Sequence, residues 1–583
     1  MPTLTLEQVM SGSDIYLDWG LSDLLMVELS GRKVLYGLSR IDGTLVELTV
    51  DQFGAVTFED SISLNGSFQV GMVPSLAWID GRILLSAKSA EDQQLVETSA
   101  TGNLSSLSGD DTVGTVLAAS SEAGYVVAIS QSGNEVNSFS YDGQGYDLMG
   151  TILDSSEAYL AGLSDIHAFS VGTTPFAAVT SSVEAGVSIL ELGGSGELTI
   201  SAEFGTLDGL PVSAPTSLEV LQHFGRTHIL VASQGSSSLS SLELSETEEL
   251  QIKDHILDDS GSYISGASTT SSVVVNDFAF LAAGGSEAGV SLFTVLPNGE
   301  IFHLASFADT ETTSIFRPTA LSLSSGEDIL NLVIGSSWEA GLTRLTYDLS
   351  TLGAVLVASE GSAVGTFGDD QIVGSDVGDT ISGQGGDDII FDGHGSDFLT
   401  GGVGEDTFIF AADGQPDTIL DFQLGVDRLD LSRFDFLNDV SQLEITTTAD
   451  GAVISFADED IIVKTDDNSQ LSSADFTNAN TFNADRPPLL QVNQLLNGAG
   501  NNDVLIGGSG NDTISGFAGA DELSGGAGLD LLIGAGGADT LRGGGGDDVL
   551  QGGSEVDLLI GGTDSDYIEG GIGGDLIYGD EIL

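Results

Sequence analysis

Residues 498–524 read GAGNNDVLI, GGSGNDTIS and GFAGADELS, three successive units of nine residues. The same register continues without a break to Tyr578, giving nine units, and an earlier run of five units spans residues 365–409. In all fourteen units the sixth residue is Asp and the eighth is Ile, Leu or Phe. A fixed short period predicts stacked repeats that share one core, because a single unit cannot bury its own apolar side chain.

The residue types at these positions predict a site for a hard cation. Glycine at the start of a unit permits a tight turn with positive φ, and the Asp places a carboxylate at the end of that turn. Calcium accepts six to eight carboxylate and carbonyl oxygens at flexible geometry, whereas zinc prefers His or Cys. The predicted ligands of several calcium ions are Asp370, Asp379, Asp388, Asp397, Asp406, Asp503, Asp512, Asp521, Asp530, Asp539, Asp548, Asp557, Asp566 and Asp575.

The pattern GGxGxDxUx resembles the repeat of the RTX (hemolysin-type) family of secreted calcium-binding proteins. The resemblance implies a parallel β-roll in which each ion lies between the Gly-Asp turns of stacked neighbours. The chain departs from the pattern at the fourth position, with Val377, Asn501, Glu555 and Asp564, and at the first position, with Asp392. These departures put full ion occupancy of their turns in doubt, but not the roll.

The alternative is a disordered Gly- and Asp-rich tract, since such composition usually lacks a core. Disorder gives no reason to keep an aliphatic or aromatic residue at every eighth position. In a roll this side chain is expected to lie on a short strand and point inward. The pattern therefore favours the roll in the presence of calcium.

Charge and cysteine content limit the functions open to the chain. The 583 residues include 88 acidic and 14 basic side chains, for a formal net charge of -74, and no cysteine. Such self-repulsion opposes compaction unless cations neutralise it, and it disfavours nucleic acid and anionic membranes as partners. No apolar stretch suggests a membrane span, and no Sec-type signal is visible at the amino terminus. The RTX resemblance instead implies a secreted, extracellular protein exported by a type I system.

Residues 1–360 are predicted to form a seven-bladed β-propeller. Seven similar apolar runs recur at intervals of roughly 42 to 52 residues, and each is followed by a second strand-like run. The first runs begin at residues 33, 82, 124, 175, 227, 277 and 330. Further runs before and after each pair give about four strands per period. This region weakly resembles lactonase-like and YVTN-type propellers, and a pair of β-sandwiches is the competing fold.

A small β cap and a linker are expected between the two arrays. Residues 361–409 form the predicted first roll, and the segment from Asp406 to Phe436 resembles the end of the roll in serralysin-type RTX proteins. Residues 410–478 are therefore the expected cap, and residues 479–497, with Pro487 and Pro488, the expected linker. The second roll, residues 498–583, has few residues left to cover its end. That arrangement predicts self-association or docking of a partner there.

Enzyme motifs are absent from the sequence: there is no HExxH, no GxSxG and no Gly-Lys pair. Polar residues on expected inner strands of the propeller are Asp165, His167 and Glu219, which are interpreted first as lining a solvated channel. The remaining histidines, His223, His228, His255, His303 and His394, form no ligand cluster in the sequence. The connection between the two apolar runs of a period is predicted to recur as an EAG turn, in SEAG at 121–124, VEAG at 183–186, SEAG at 286–289 and WEAG at 338–341.

Together these patterns predict an all-β protein: a seven-bladed propeller followed by two calcium-binding parallel β-rolls with a small β cap between them. The function predicted first is that of a secreted calcium-binding protein that acts in extracellular binding or assembly at a surface, in a matrix or in adhesion. The propeller would present a surface to an unknown ligand. The alternative is an extracellular propeller enzyme, a lactonase-like hydrolase or a lyase, carried by an RTX export module.

Overall fold

The structure is a computed structural model of the whole chain. Contacts divide the chain into two units, residues 1–206 with 211–488, and residues 207–210 with 489–583. The described residues are 2–11, 20–29, 31–39, 44–63, 76–79, 82–85, 95–98, 104–107, 116–122, 124–130, 132–141, 146–154, 159–245, 249–259, 261–310, 312–359, 361–434, 437, 439–457, 459–484, 486, 495–498, 500, 504–509, 511–527, 529–545, 548–563 and 566–579.

The amino-terminal strands form four-stranded antiparallel sheets. The first strand, β1 (Thr5–Ser11), belongs to the last of these sheets. The first four blades in chain order are β2 (Leu21–Leu29), β3 (Arg32–Ser39), β4 (Thr44–Val50) and β5 (Val56–Ser63); β6 (Leu76–Ile79), β7 (Arg82–Leu85), β8 (Leu95–Thr98) and β9 (Leu104–Leu107); β10 (Val116–Glu122), β11 (Tyr125–Ser130), β12 (Glu135–Tyr141) and β13 (Tyr146–Leu153); and β14 (Leu163–Val171), β15 (Thr174–Ser181), β16 (Gly186–Leu192) and β17 (Leu198–Gly205).

Three further blades complete the described ring. They are β18 (Pro215–His223), β19 (Arg226–Ser233), β20 (Ser238–Leu244) and β21 (Leu250–Leu257); β22 (Thr269–Val275), β23 (Phe278–Gly284), β24 (Gly289–Val295) and β25 (Ile301–Ala308); and β26 (Pro318–Ser325), β27 (Ile329–Ser336) and β28 (Gly341–Asp348), joined by β1. The first strand of each blade contacts the first strand of the next, and β26 contacts β2, so the ring is closed. The described sheets thus confirm the seven-bladed propeller.

The recurring apolar runs of the sequence are the second and third strands of the blades. Their burial explains their composition: β15 and β23, for example, are covered by neighbouring sheets on both faces, and seven of seven residues of β23 are buried. A strand buried on both faces has no polar alternation. The outermost strands alternate instead, as in β17, where only one face packs inward.

The amino-terminal strand closes the propeller. β1 pairs antiparallel with β28, with Thr5 opposite Thr346 and Ser11 opposite Gly341. It takes the outermost position of the seventh blade, and Leu4 packs into that blade's core. The ring is therefore held shut by pairing between the two ends of the propeller segment, a point that the sequence left open.

The first roll follows directly and consists of two parallel sheets. One contains β29 (Leu352–Val357), β31 (Asp369–Val373), β33 (Ile389–Phe391), β35 (Thr407–Ile409) and β37 (Arg428–Asp430), and the other contains β30 (Ser362–Val364), β32 (Thr380–Gly385), β34 (Phe398–Val403) and β36 (Asp417–Phe422). Gln371 pairs with Ile389, eighteen residues on, so two nonapeptides make one turn of the roll. The eighth-position side chains, which are fully buried, form its core: Ile372, Ile381, Ile390, Leu399 and Phe408.

The β cap extends the second of these sheets. It contains β38 (Glu444–Thr447), β39 (Gly451–Phe456) and β40 (Glu459–Thr465), and β40 pairs in parallel with β36. Short 3-10 helices lie at Thr206–Asp208, Val440–Gln442 and Asn478–Asn480. The cap residues Ala452, Ile454, Ile461 and Val463 are buried against the aliphatic row of the roll. The end of the roll is thus covered, as the sequence predicts.

The propeller and the first roll share an apolar contact and a buried ion cluster. Phe302 of β25 packs against Phe391 and Ile409 of the roll. Behind this contact, Arg486 donates from Nε to Asp254 Oδ1 at 3.0 Å and from Nη2 to the carbonyl of Ile301 at 2.6 Å. Acidic groups of both modules therefore surround one guanidinium that comes from the segment after the cap.

Residues just after the cap are packed rather than extended. Asn483 accepts from the backbone N–H of His303 at 2.9 Å, Ala484 lies in a core cluster of the propeller, and the Arg486 side chain is 5% exposed. The predicted linker 479–497 therefore begins as a strap on the propeller, because its side chains find polar and apolar partners there. Pro487 and Pro488 lie outside the described residues.

The second roll is built in the same way. One sheet contains β41 (Leu495–Asn497), β43 (Thr513–Ala518), β45 (Leu531–Gly536), β47 (Val549–Ser554) and β49 (Tyr567–Ile572), and the other contains β42 (Val504–Ser509), β44 (Glu522–Ala527), β46 (Thr540–Gly545), β48 (Leu558–Thr563) and β50 (Leu576–Tyr578). Its fully buried eighth-position row consists of Ile514, Leu523, Leu532, Leu541, Leu550 and Leu559. The inward direction predicted for these side chains is confirmed.

Candidate metal centre

Where the first position of a unit is glycine, the turns of the two rolls have no room for a side chain there, as Gly534 illustrates. A Cβ built on Gly534 would lie 2.5 Å from Oδ2 of Asp539, the sixth residue of the same unit, and 2.7 Å from the carbonyl oxygen of Gly552 in the next turn of the row. The small residue is needed because carboxylate and carbonyl oxygens converge on this space. The turn therefore gathers oxygen atoms around a point beside the first-position glycine.

Within a row, each later sixth-position Asp is oriented by a backbone hydrogen bond from the Asp one turn earlier. Oδ1 of Asp530 accepts from the N–H of Asp512 at 2.7 Å, and Oδ1 of Asp539 accepts from the N–H of Asp521 at 2.9 Å. In the first roll, Oδ1 of Asp388 accepts from the N–H of Asp370 at 2.8 Å. One oxygen of each carboxylate is thus fixed, and this leaves the other aimed at the turn.

The second carboxylate oxygen is buried and has no hydrogen-bond donor at several positions. Among the described residues this holds for Oδ2 of Asp388, Asp406, Asp530, Asp539 and Asp557. A buried ionised carboxylate is costly unless it is paired or coordinates a metal. The orphaned oxygens, together with nearby carbonyls, fit a calcium ion, which takes carboxylate and carbonyl ligands.

The raised pKa values of the buried aspartates in the rows also favour a bound cation. Burial, with the nearby charges of Asp406 and Asp370, raises the pKa of Asp388 to about 8. Burial likewise raises the pKa of Asp427 to about 7, with Asp406 and Asp421 adding like charge. Without a cation these carboxyl groups would hold protons near neutral pH. A divalent ion in the turn favours the ionised form instead.

Both rows of the first roll continue beyond the nonapeptides that define it in the sequence. Oδ1 of Asp427 accepts from the N–H of Asp406 at 3.2 Å, and Oδ1 of Asp417 accepts from the N–H of Asp397 at 2.9 Å. Asp427 and Asp417 do not follow the period of the repeats, because their spacing from the preceding Asp of the row is 21 and 20 residues instead of 18. The signal that could have found them is the local pattern D-x-U, in DTI at Asp417 and DRL at Asp427.

The structure brings the predicted ligands together in rows, two in each roll. The rows are Asp370, Asp388 and Asp406; Asp379 and Asp397; Asp512, Asp530, Asp548 and Asp566; and Asp521, Asp539, Asp557 and Asp575. Asp566 and Asp575 are half-buried, whereas the others are buried. Asp503 lies outside the described residues.

The departures from the repeat pattern have different structural consequences. Glu555 adopts φ 83° at a fourth position, and its Oε2 accepts from the N–H of Gly537 at 2.9 Å, so a side chain takes part in the turn. Val377 is 60% exposed and simply faces solvent. Asn501 and Asp564 lie outside the described residues. The fifth departure, Asp392, is buried among other carboxylates.

The polar groups predicted on inner propeller strands do lie there, on β14 and β18. Oδ2 of Asp165 accepts from the N–H of Leu218 in the next blade at 2.9 Å, and Oε2 of Glu219 accepts from Ser272 Oγ at 2.8 Å. Asp23, which the sequence did not single out, accepts in the same way from the N–H of Leu76 at 2.6 Å. These carboxyl groups join neighbouring blades.

Burial sets the protonation of these groups. It raises the pKa of Asp23 to about 7, of Asp165 to about 6 and of Glu219 to about 7, against the lowering effect of the hydrogen bonds that they accept. Burial lowers the pKa of His167. The channel therefore holds carboxyl groups that are partly protonated near neutral pH.

The EAG turns connect strands within blades. Glu184 and Glu339 accept from the backbone N–H of Ala161 and Phe316, at 2.9 and 3.0 Å, and so anchor the segment that enters their own blade. Three copies lie between the second and third strands of a blade. The copy at 121–124 does not: it lies between β10 and β11, the first and second strands, so its equivalence to the others, predicted from sequence, is wrong.

The same segments match two family models. The model described as RTX calcium-binding nonapeptide repeat (4 copies) matches residues 497–532, 524–559 and 551–581. The chain carries RTX calcium-binding repeats. The model described as Peptidase M10 serralysin C terminal matches residues 322–485, which include the first roll and its cap. RTX repeats bind calcium, so calcium is the ion of the second roll. The two matches together fit a secreted calcium-binding protein.

Solved structures similar to this chain include two described as β-propellers. A WD40 β-propeller domain of Doa1 shares 13% identity over 59% of this chain and 97% of its own, at a TM-score of 0.39. A protein from Lactobacillus plantarum shares 16% identity over 54% of this chain and 98% of its own, at a TM-score of 0.38. The β-propeller domain of Myceliophteria thermophila Cps50 (Swd1) shares 11% identity over 56% of this chain and 96% of its own, at a TM-score of 0.38. The fold assignment itself rests on the strand pairing.

None of the curated proteins compared with the sequence matches it. Within the described residues, no helix is both long enough and apolar enough to cross a membrane.

Proposed function

We propose that this protein leaves the cell unfolded through a type I secretion system and is folded outside by calcium. The observation that carries this proposal is the pair of opposing features in each roll: a fully buried aliphatic row, and buried carboxylates whose second oxygen lacks a donor in the described structure. The row cannot close while the carboxylates repel one another. Calcium, which is scarce inside cells and millimolar outside, supplies the missing partner.

The proposed ligands are the sixth-position aspartates of both rolls, extended in the first roll by Asp417 and Asp427. Each ion would lie between two turns of a row and take carboxylate oxygens from Asp residues that the hydrogen bonds already orient. Turn carbonyls such as that of Gly552 would complete the shell.

Outside the cell we assign the protein a binding or assembly role, at a surface, in a matrix or in adhesion. The propeller, residues 1–360, would present a surface to a ligand. Support comes from its inner carboxyl groups, which are engaged in hydrogen bonds between blades. The second roll would associate with a second copy of the chain, because Ile572, Leu576 and Ile577 in its last turns are 79%, 51% and 48% exposed.

Sedimentation velocity of the full chain with and without millimolar calcium tests this role. Two matched variants accompany it: Asp530→Asn, Asp539→Asn and Asp557→Asn together in the second roll, and Asp388→Asn, Asp397→Asn and Asp406→Asn together in the first. We expect calcium to compact the wild type and to drive it into oligomers. The second-roll variant should remain monomeric, whereas the first-roll variant should still associate.

Monomers in calcium for all three proteins would rule out self-assembly and leave a soluble binding protein. Oligomers in the second-roll variant would show that association does not depend on calcium in that roll. Absence of any compaction by calcium in the wild type would contradict calcium-driven folding itself.

A second candidate function is an extracellular propeller enzyme, a hydrolase or a lyase carried by the RTX module. The observation that favours it is the raised pKa of Glu219 and Asp165, about 7 and about 6, since catalytic acids are tuned in this way. A lactone or polyuronate turnover assay of the wild type and of Glu219→Gln tests it. Turnover that is lost in Glu219→Gln with unchanged calcium binding would favour the enzyme over the binding protein.

A further inference from the structure

Three buried aspartates meet at the last turn of the first roll. Asp392, Asp397 and Asp417 are 1%, 1% and 3% exposed, and one oxygen of each lies within 4.8 Å of the other two. Among the described residues, these three aspartates are the group of acidic or histidine side chains whose ligand atoms lie close enough together to bind one metal ion. Asp397 and Asp417 are a pair within a row, but Asp392 comes from a position that is glycine in the other thirteen units.

The neighbouring turn explains why a side chain is useful at this position. In a regular row the next turn begins with glycine, eighteen residues on, and its backbone lies beside the carboxylate. Here the next turn begins with Phe410 and reaches Asp417 after twenty residues, two more than usual. Asp392 reaches across to this irregular turn, where its Oδ1 accepts from the N–H of Ala411 at 2.8 Å. Asp392 therefore links its own turn to the irregular turn through a side-chain hydrogen bond.

Independent evidence for a ligand comes from Asp397. Its Oδ1 accepts from the N–H of Asp379 at 2.5 Å, and its Oδ2 is fully buried with no N–H or hydroxyl donor among the described residues. The side chains of Asp397 and Asp417 can share a hydrogen bond only when one of the two carboxyls holds a proton, and a cation removes the need for that proton. Asp413 adds a further carboxylate at the rim, where its Oδ2 accepts from the N–H of Gly395. Three to four negative charges therefore surround a space that also holds an unsatisfied oxygen.

The cluster lies at the junction between the first roll and its cap. Asp417 is the first residue of β36, which pairs with β34 of the roll on one side and with β40 of the cap on the other. An ion here would join the last turn of the roll to the cap. Ordering β36 creates the edge on which the remaining roll strands and the cap hairpin can pair.

We propose that Asp392, Asp397 and Asp417 form a calcium site with three carboxylates that binds more tightly than the two-carboxylate sites and fills first. The proposal rests on calcium binding by the roll and is independent of what the propeller binds. Affinity of oxygen-ligand calcium sites rises with the number of charged ligands, which sets this site apart. Its early occupancy orders the junction of roll and cap before the other turns fill.

Flow dialysis of the full chain with calcium alone, and hydrogen exchange at one equivalent of calcium per chain, test the proposal. The variants are Asp392→Asn, which keeps the shape, and Asp392→Gly, which restores the glycine of the other units. Asp460→Asn removes the same charge from an exposed position on β40 and serves as the control. In the wild type, the first equivalent should protect peptides from residues 389–422.

We expect both Asp392 variants to weaken the first binding step by at least about tenfold and to lose the early protection of these peptides, with Asp460→Asn unchanged. Two results would overturn the proposal. If Asp392→Gly binds one ion more than the wild type, the Asp392 carboxylate blocks the site instead of forming it. If the first step keeps its affinity in both variants, Asp392 is not a ligand. Neither result depends on the oligomeric state, so the proposed assembly role is tested separately.

Discussion

Substitution of Arg486 by Met removes one of the two cations of the buried cluster between the propeller and the first roll; the other, Arg433, lies 3.2 Å from Glu300 and remains. The Arg486 guanidinium makes two charge-assisted hydrogen bonds to Asp254, at 3.0 and 3.2 Å, and lies 3.5 Å from Oε1 of Glu300 and 3.6 Å from Oδ2 of Asp430. It also donates to the carbonyl of Ile301 at 2.6 Å. All of these groups are buried, so water cannot replace the lost donor.

The magnitude follows from these contacts. Each hydrogen bond to a charged group contributes about 1.5–3 kcal/mol, so the pair to Asp254 accounts for about 3–6 kcal/mol. Removal of one partner from a buried ion pair costs about 3–5 kcal/mol, because a charge is left without compensation. Nearby arginines hold the pKa of Asp254 below its usual range despite burial, which confirms the direction. We expect a loss of about 4 kcal/mol of unfolding free energy.

Equilibrium urea unfolding at saturating calcium, followed by tryptophan fluorescence, measures this loss, because all three tryptophans of the chain lie in the propeller segment, residues 1–360. Arg226→Met is the matched control, since Arg226 is 47% exposed and pairs with Glu243 at 3.0 Å on the surface. That pair should contribute no more than about 1 kcal/mol. If Arg486→Met loses as little unfolding free energy as the control, the expectation that Asp254 is left buried without its partner is refuted.

Three further predictions concern other parts of the chain. Leu532→Ala in the fully buried row of the second roll should lower that roll's free energy of unfolding in calcium by about 2–5 kcal/mol. The control Leu529→Ala, at a residue that is 56% exposed, should change it by less than about 0.5 kcal/mol. Thermal unfolding followed by circular dichroism distinguishes the two variants. Burial raises the pKa of Glu219 to about 7, so the neutral carboxyl stabilises the propeller at low pH and this contribution is lost as pH rises through 7. In urea unfolding, the free energy of unfolding should therefore fall less between about pH 5 and 8 in Glu219→Gln than in the wild type. Deletion of residues 2–11 should open the seventh blade, which proteolysis of the exposed edge strand β28 would detect; resistance equal to that of the wild type would show that β1 is dispensable.

The rolls could be predicted from the sequence almost residue by residue. A strict period of nine fixes which side chain points inward, so Ile514, Leu541 and their equivalents were assigned to the core without a structure. The same register fixed the Asp rows. It failed where the spacing changes: Asp417 and Asp427 follow insertions of two and three residues, which break the period but leave the stacking intact.

The propeller could be predicted in outline only. Its second and third strands are buried on both faces and so recur as apolar runs, whereas the outer strands vary. Closure by β1 depends on pairing between Thr5 and Thr346, which no local pattern encodes. The cluster around Arg486 was missed for the same reason: Asp254 and Arg486 lie 232 residues apart, and each alone is an ordinary charged residue.

The first roll is positioned to transmit calcium binding to the propeller. Asp427 belongs to a row of proposed ligands, and β37, which begins at the next residue, ends at Asp430, which contacts Arg486. Arg486 in turn binds Asp254 of the propeller. The proposed ordering of the roll by calcium would therefore also order one wall of the ion cluster. Each site occupied at tenfold over its dissociation constant would add about 1.4 kcal/mol to the folded state that binds it.

This connection makes a last prediction. Chelation of calcium should lower the urea midpoint of the propeller as well as unfold the rolls, because the folded propeller loses Asp430 and the strap that carries Arg486. In Arg486→Met the propeller should respond to chelation by a much smaller shift of its tryptophan-fluorescence midpoint, since the link is already broken. Equal shifts in the two proteins would mean that calcium acts on the propeller by another route, such as the apolar contact of Phe302 with Phe391. A Phe302→Ala variant, which leaves the cluster in place, distinguishes these two routes.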